Sequence, residues 1–255
     1  MPVGVGPFSF SPLPSSFFVP FVIFVVFVLA VFFLRASHII QPMKMPAPVR
    51  LAVLISGGGT TLMNFLAKIA AGDLAAQVVQ VVASGPCAGV DRAKAAGLEV
   101  AILNHRDYRS TDMFSAAITE VVTAAHPDLV ALAGFLRLWR FGPQFDGRVM
   151  NIHPALLPSF GGRGMYGHRV HEAVLAAGCK VSGCTVHFCD RQYDTGPIIV
   201  QRCVAILEGD TPDSLTARIF AQECLAYPEA INLFAAGRLQ REGRVVRILG
   251  HQEKQ

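Results

Sequence analysis

Short apolar runs alternate with amphipathic stretches along most of this chain, and each has its own period. Residues 50–55 (RLAVLI) form a continuous run of strand length. After Ser56-Gly57-Gly58-Gly59-Thr60-Thr61 the apolar positions fall at Leu62, Phe65, Leu66 and Ile69, the spacing of a helix face. The unit recurs with a strand at 78–83 and a helix at 90–96, then a strand at 99–103 and a longer helix at 111–125. Strands at 129–133 and 149–152 follow. Strands and helices that alternate in this way predict an α/β fold, an open and mostly parallel sheet with helices on both faces. Such sheets bind ligands beyond the carboxyl ends of their strands. Further on come a helix at 167–177, a strand at 180–188 with polar and apolar residues alternating, and a strand at 198–206. A long amphipathic helix at 212–236 and a strand at 245–249 complete the pattern. No internal repeat appears, and the regular part reads as one domain.

One stretch stands outside this pattern. Residues 17–34 (FFVPFVIFVVFVLAVFFL) are apolar throughout and hold seven of the 18 phenylalanines. A bilayer crossing takes about 20 such residues. The chain therefore divides into an apolar leader, 1–44, and a folded domain, 45–255. A cleaved signal peptide fits poorly, since no positive charge precedes the run and no small-residue cleavage site follows it. Two other readings stay open. The leader is a mis-assigned start, with translation beginning at Met43 or Met45, or it is an anchor that leaves the domain on the cytoplasmic face of a membrane. A membrane is a partner only if the leader is real, and the expected location is cytoplasmic.

Charge separates along the same line. Arg35, Lys44 and Arg50 are the only charged residues among the first 50, which leaves 19 basic and 18 acidic residues in the rest. A body so near neutral, without a basic stripe interleaved with aromatics, excludes nucleic acid as a partner. The six cysteines include no CxxC pair and read as buried or idle thiols in a reducing compartment, so no metal is expected. His168 and His171, at i and i+3, have a spacing that zinc ligands use, but no third ligand is evident and a solvated helix face is expected.

Two segments carry the candidate chemistry. In the first loop, three glycines let backbone N–H groups approach an anion, Thr60 and Thr61 add hydroxyls, and the helix that follows presents its positive end. The loop lacks the lysine of GxxxxGK[ST], and Leu62 stands where GxGxxG requires glycine, so a monophosphate on a small ligand fits better than a triphosphate or dinucleotide. The second segment is Asn151-Ile152-His153-Pro154, at the carboxyl end of the fifth strand. Residues 151 and 153 alternate onto one side of the sheet, where an amide and an imidazole converge on one oxygen that becomes negative in a tetrahedral intermediate. Asp194, 41 residues beyond the histidine in Tyr193-Asp194-Thr195-Gly196-Pro197, supplies a carboxylate to tune the ring or accept a proton. No serine or cysteine beside the histidine reads as a nucleophile, which favours direct attack by a substrate amine. An asparagine turn with a core histidine remains the alternative.

Residues 50–249 resemble the folate-dependent phosphoribosylglycinamide formyltransferases. The resemblance rests on LAVLISGGGTTL at 51–62, DLVALAGFLRLW at 128–139, VMNIHPALLP at 149–158, GCTVHFCDRQYDTGPIIVQ at 183–201 and TARIFAQECLAYP at 216–228. It implies the Rossmann-like formyltransferase fold and transfer of a formyl group from 10-formyltetrahydrofolate to the amine of glycinamide ribonucleotide, in purine synthesis. By this resemblance Asn151, His153 and Asp194 are the catalytic trio and His187 supports them. Gly58, Gly59, Thr60 and Thr61 hold the phosphate, and Glu223 holds the ribose. Arg137, Leu138 and Trp139, largely through backbone, together with Asp190 and Asn151, line the folate site. Core packing is the competing expectation for Leu138 and Trp139. The partners implied are small molecules, with a monomer or a homodimer as the assembly.

This chain departs from that pattern in two places. Gly58 and Thr61 stand where many members have asparagine, so the backbone must hold the phosphate. The segment 159–168 (SFGGRGMYGH) is longer and richer in glycine than the usual connection, with Arg163 and His168 as candidates to meet phosphate or glycinamide. Three other functions compete. A formyltetrahydrofolate hydrolase shares the trio but carries a regulatory domain, for which residues 1–48 are too short and too apolar. A methionyl-tRNA formyltransferase calls for a further C-terminal domain and a basic surface. A non-catalytic, membrane-tethered folate- or nucleotide-binding protein would explain the leader but gives no reason to keep the trio.

Overall fold

The computed structural model of the chain describes residues 48–250; the leader expected at 1–44 lies outside them. The elements run β1 (Val49–Ile55), α1 (Thr60–Ala70), β2 (Ala76–Ala83), α2 (Ala88–Ala95), β3 (Val100–Ile102), α3 (Thr111–Ala124), β4 (Leu129–Leu132) and β5 (Val149–His153). Then come α4 (His168–Ala176), β6 (Val181–Phe188), β7 (Ile198–Ala205), α5 (Pro212–Ala235), β8 (Leu239–Glu242) and β9 (Val245–Ile248). Among the described residues the nine strands join one sheet in the order β3-β2-β1-β4-β5-β6-β7-β9-β8. From β3 to β5 the pairing is parallel, as the alternation of strand and helix predicts, and β6 and β7 then add antiparallel.

β1 shows why the sheet is covered on both faces. Leu51, Val53 and Ile55 point to one side, where they join Leu62 and Phe65 of α1, Val90 of α2, Val170 of α4 and Ile219, Tyr227 and Ile231 of α5. Ala52 and Leu54 point to the other side and meet Phe114, Ile118 and Val122 of α3, with Trp139 and Phe145. A strand buried on both faces has no polar face to alternate, hence the continuous apolar run. Each such side chain contributes about 1.5–3 kcal/mol on burial. Among the described residues no helix is long and apolar enough to cross a membrane.

The strand read at 180–188 is present as β6, and despite its alternation of polar and apolar residues every residue from Ser182 to Phe188 is buried. Its polar positions are taken up inside the molecule. Thr185, for example, donates to the Ala155 carbonyl at 2.7 Å and accepts from the Leu157 N–H at 3.0 Å. β8 was not expected, because its residues are largely exposed and carry no apolar period; backbone pairing with β9 alone defines it.

α5 contains Pro228 in its interior. Proline cannot supply the N–H that would pair with the carbonyl four residues earlier. That carbonyl, on Cys224, accepts instead from Asn64 Nδ2 of α1 at 3.1 Å. Lower on the same helix, Asn232 accepts from the Ala75 N–H and donates to the Asp73 carbonyl, which fixes the entry to β2.

Candidate active site

The order of the sheet reverses at β1, which pairs with β2 on one side and β4 on the other. Loops that leave β1 and β4 in opposite directions open a crevice at the carboxyl ends, where ligands of such sheets bind. The glycine loop leaves β1 on one wall, residues 134–139 leave β4, and β5 ends beside them with Asn151 and His153.

Asn151, His153 and Asp194 converge as the sequence predicts, and His187 joins them. Asn151 pairs across the sheet with His187, which brings the β6 histidine to the same end. Asn151 Nδ2 donates to Asp194 Oδ1 at 3.4 Å and lies 3.3 Å from His187 Nε2. His187 Nδ1 donates to the Phe188 carbonyl at 2.9 Å, leaving Nε2 as the atom that faces the asparagine. Asp194 Oδ2 stands 3.6 Å from His153 Nδ1, and Oδ1 stands 3.6 Å from His187 Nε2. Asp194 itself adopts φ 58°, a left-handed conformation that aspartate tolerates better than most residues.

Electrostatics follow from burial and these contacts. His153 is 3% exposed, and desolvation lowers its pKa despite the opposing pull of Asp194 and of the Phe160 carbonyl, so its ring is neutral near pH 7. Its single hydrogen sits on Nε2, which donates to the Phe160 carbonyl at 2.8 Å. Asp194 lies below the usual carboxylate range. Burial opposes that shift but is outweighed by the contact with His187, the charge that His153 carries once protonated at the low pH where Asp194 titrates, and the N–H of Gly162. The site thus holds an ionised carboxylate beside a neutral imidazole, with a half-exposed amide donor between them and the crevice.

The segment 159–168 holds this arrangement from one side. Gly162 N–H donates to Asp194 Oδ2 at 2.9 Å, two residues after the Phe160 carbonyl meets His153. A side chain at Gly161 between them would crowd the site: a Cβ there would lie 2.5 Å from Leu157 Cδ2 and 3.1 Å from Asp194 Cβ. The high glycine content signals close approach, but nothing in the sequence says which side chain is approached.

The glycine loop packs closely against α2. Gly59 caps α1 at φ 72°, and a Cβ on it would stand 2.8 Å from the Gly89 Cα of α2. The carbonyl of Gly57 accepts from Gly89 N–H at 3.0 Å, and that of Gly58 accepts from Arg92 at 2.7 Å. In a trans peptide the N–H points opposite to the carbonyl, so the amides of Gly58 and Gly59 turn away from α2. Among the described residues nothing accepts from the N–H groups of Gly58, Gly59, Thr60 or Thr61. Arg92 is an addition that sequence reading missed, because nothing in spacing links it to a loop 34 residues earlier. Ser56 was missed likewise; its hydroxyl accepts from Leu136 N–H at 3.0 Å and lies 2.7 Å from the Ser84 hydroxyl.

Other predicted residues occupy varied positions. Glu223 is half-buried on α5 without a hydrogen-bond partner among the described residues, and desolvation pushes its carboxyl up to about 7. Arg137 is exposed and Leu138 half-buried, whereas the Trp139 indole is buried and donates to Thr119 Oγ1 at 3.1 Å. Only the backbone of Trp139 is left for a ligand. Asp190 spends its carboxylate on the Thr195 hydroxyl and the Gln192 N–H, which closes the loop that carries Asp194. Arg163 is exposed. His168 pairs with Asp213 of α5 at 3.0 Å. His171 is not on a solvated face as expected, since α4 turns it inward to 2% exposure with Nδ1 unpartnered. All six cysteines are free thiols, and among the described residues no cluster of three or more metal-binding side chains occurs.

A crevice at the carboxyl ends of a parallel sheet, joined to an amide, imidazole and carboxylate at the end of a central strand, fits a group-transfer enzyme of the α/β class. The chain belongs to the formyl transferase family, whose model matches residues 49–231. It is 40% identical over 220 residues to the phosphoribosylglycinamide formyltransferase of Mycobacterium tuberculosis, covering 82% of this chain and 99% of that one. It is 39% identical over 217 residues to the trifunctional purine biosynthetic protein adenosine-3 of Bos taurus, covering 83% of this chain and only 21% of that longer protein. The crystal structure of glycinamide ribonucleotide transformylase 1 from Symbiobacterium toebii superposes with a TM-score of 0.74 at 44% identity, covering 80% of this chain and 95% of that one.

Proposed function

We infer that the protein transfers the formyl group of 10-formyltetrahydrofolate to the amine of glycinamide ribonucleotide, a step of purine synthesis. The observation that carries the reading is the convergence of Asn151, His153 and Asp194 at one end of β5, within a chain that matches the relatives named for this reaction over most of its length. The phosphate lies on the free N–H groups of Gly58 to Thr61, with Glu223 toward the ribose, and the folate runs along residues 136–138.

The neutral amine attacks the formyl carbon, a C–N bond forms, and the carbonyl electron pair moves onto oxygen. Asn151 Nδ2 donates to that oxyanion, giving up contacts that are long at 3.3 and 3.4 Å. His153 adds its Nε2 hydrogen when the Phe160 carbonyl releases it. Collapse of the intermediate breaks the bond to the folate nitrogen, which takes the proton that the attacking amine gives up. Asp194, ionised at neutral pH, stabilises the positively charged amine and guides that proton, directly or through water.

The test is acceptor choice. The full chain is incubated with 10-formyltetrahydrofolate and glycinamide ribonucleotide, water alone, or methionyl-tRNA. Formylated glycinamide ribonucleotide is the expected product; release of formate at the same rate without the nucleotide would establish a hydrolase instead.

A further inference from the structure

Ser56 links two parts of the crevice that the reading above assigns to different substrates. Its N–H donates to the Gly134 carbonyl at 3.2 Å, and its Oγ accepts from the Leu136 N–H at 3.0 Å. The hydroxyl also shares a hydrogen with the buried Ser84, 2.7 Å away, whose own N–H donates to the Ile55 carbonyl. Ser56 is the first residue of the glycine loop, and Leu136 is the exposed residue immediately before Arg137 and Leu138.

The far end of that segment is fastened elsewhere. Arg140 N–H donates to Ser115 Oγ at 2.9 Å, and the Trp139 indole donates to Thr119, both on α3. Residues 136–138 therefore span two anchors: α3, which is part of the core, and Ser56, which is part of the phosphate loop. An anion on the N–H groups of Gly58 to Thr61 fixes the loop's torsions, and the Ser56 hydroxyl is the side-chain group that passes that order to the backbone of Leu136, beside the backbone bond from Ser56 N–H to Gly134. Any such effect is reciprocal, because coupling is a property of the pair of binding equilibria.

We propose that Ser56 is a positioning residue that couples the nucleotide site to the folate site, so that its loss is felt in how the two substrates help each other bind. The proposal rests on the functional reading above. Isothermal titration of tetrahydrofolate, without and with saturating glycinamide ribonucleotide, measures the coupling. The full chain should bind tetrahydrofolate about fivefold tighter when the nucleotide is present, the worth of one ordinary hydrogen bond. Ser56→Ala should bring that ratio close to one, and Ser56→Thr, which keeps the hydroxyl, should restore it. Ser84→Ala removes only the hydroxyl's partner and should give an intermediate ratio, which keeps the test open should Ser56→Ala fail to fold. A ratio of one in the natural chain, or an undiminished ratio in Ser56→Ala and Ser84→Ala, overturns the proposal. Gly59→Ala separates this outcome from failure of the site assignment: if nucleotide affinity alone is unchanged in that variant, the loop is not the phosphate site.

Discussion

Replacement of Asp194 by asparagine isolates its charge, because shape and backbone are preserved. Asparagine tolerates the φ of 58° as well as aspartate does. The carboxylate accepts on both oxygens, from Gly162 N–H at 2.9 Å and from Asn151 Nδ2 at 3.4 Å. An amide accepts on one side only, so whichever way it turns, an NH2 group faces a donor. Losing one hydrogen bond to a charged group removes about 1.5–3 kcal/mol, and a donor left unsatisfied costs about 1–3 kcal/mol more. If most of this is expressed in the transition state, a loss of about 3–4 kcal/mol corresponds to roughly 10²- to 10³-fold in kcat. The assay is the initial rate of formyl transfer to glycinamide ribonucleotide at saturating substrates, with circular dichroism and thermal melting to show that the variant is folded. A folded Asp194→Asn enzyme with kcat within tenfold of the natural one would refute the reasoning, since neither the carboxylate's charge nor its double acceptance would then matter to the reaction.

Other outcomes follow from the same geometry. Gly161→Ala should lower kcat by at least tenfold with little change in nucleotide KM, because its Cβ enters the space of Leu157 Cδ2 and Asp194 Cβ and displaces the Gly162 N–H; steady-state kinetics check this. His171 has its pKa lowered by burial and by the nearby His168 and His153, so the unfolded chain binds the proton more readily and stability is lost as pH falls below 6.5. His171→Leu should flatten that slope by up to about 1.4 kcal/mol per pH unit in urea titrations. Glu223 has the opposite sign. Its carboxyl is raised to about 7 from 4.5, so the folded state holds the proton longer and stability falls as pH rises through that range. Glu223→Gln should melt higher than the natural chain above about pH 7 and raise the KM for the nucleotide, as thermal melts and kinetics would show.

Much of the fold is legible in the sequence because strands buried on both faces leave long apolar runs, as β1 does, and helices covering one face leave a period, as α1 does. β6 is legible as a strand, but its burial is not. Thr185 and His187 have partners inside the molecule, and alternation cannot tell a wet face from a polar interior. Within the candidate site, Asn151 and His153 are readable since they lie two apart on one strand, and Asp194 is readable as a carboxylate candidate whose pairing with them the resemblance strengthens. The contributions of Phe160, Gly162, Ser56 and Arg92 are not. All four act through backbone groups or on backbone groups, which carry no residue signature, and Arg92 also reaches its loop from another helix.

The proline inside α5 has a bearing on how the chain behaves as a whole. By freeing the Cys224 carbonyl for Asn64, it joins segments 160 residues apart in sequence, and α1 is the helix whose first turn offers its amides to the crevice. A helix near one end of the domain therefore holds its aim through a residue near the other. Truncation or proteolytic nicking ahead of α5 should accordingly silence the glycine loop even with β1 to β5 still present. During synthesis, too, the binding crevice can take its final form only after the last long helix has emerged and docked.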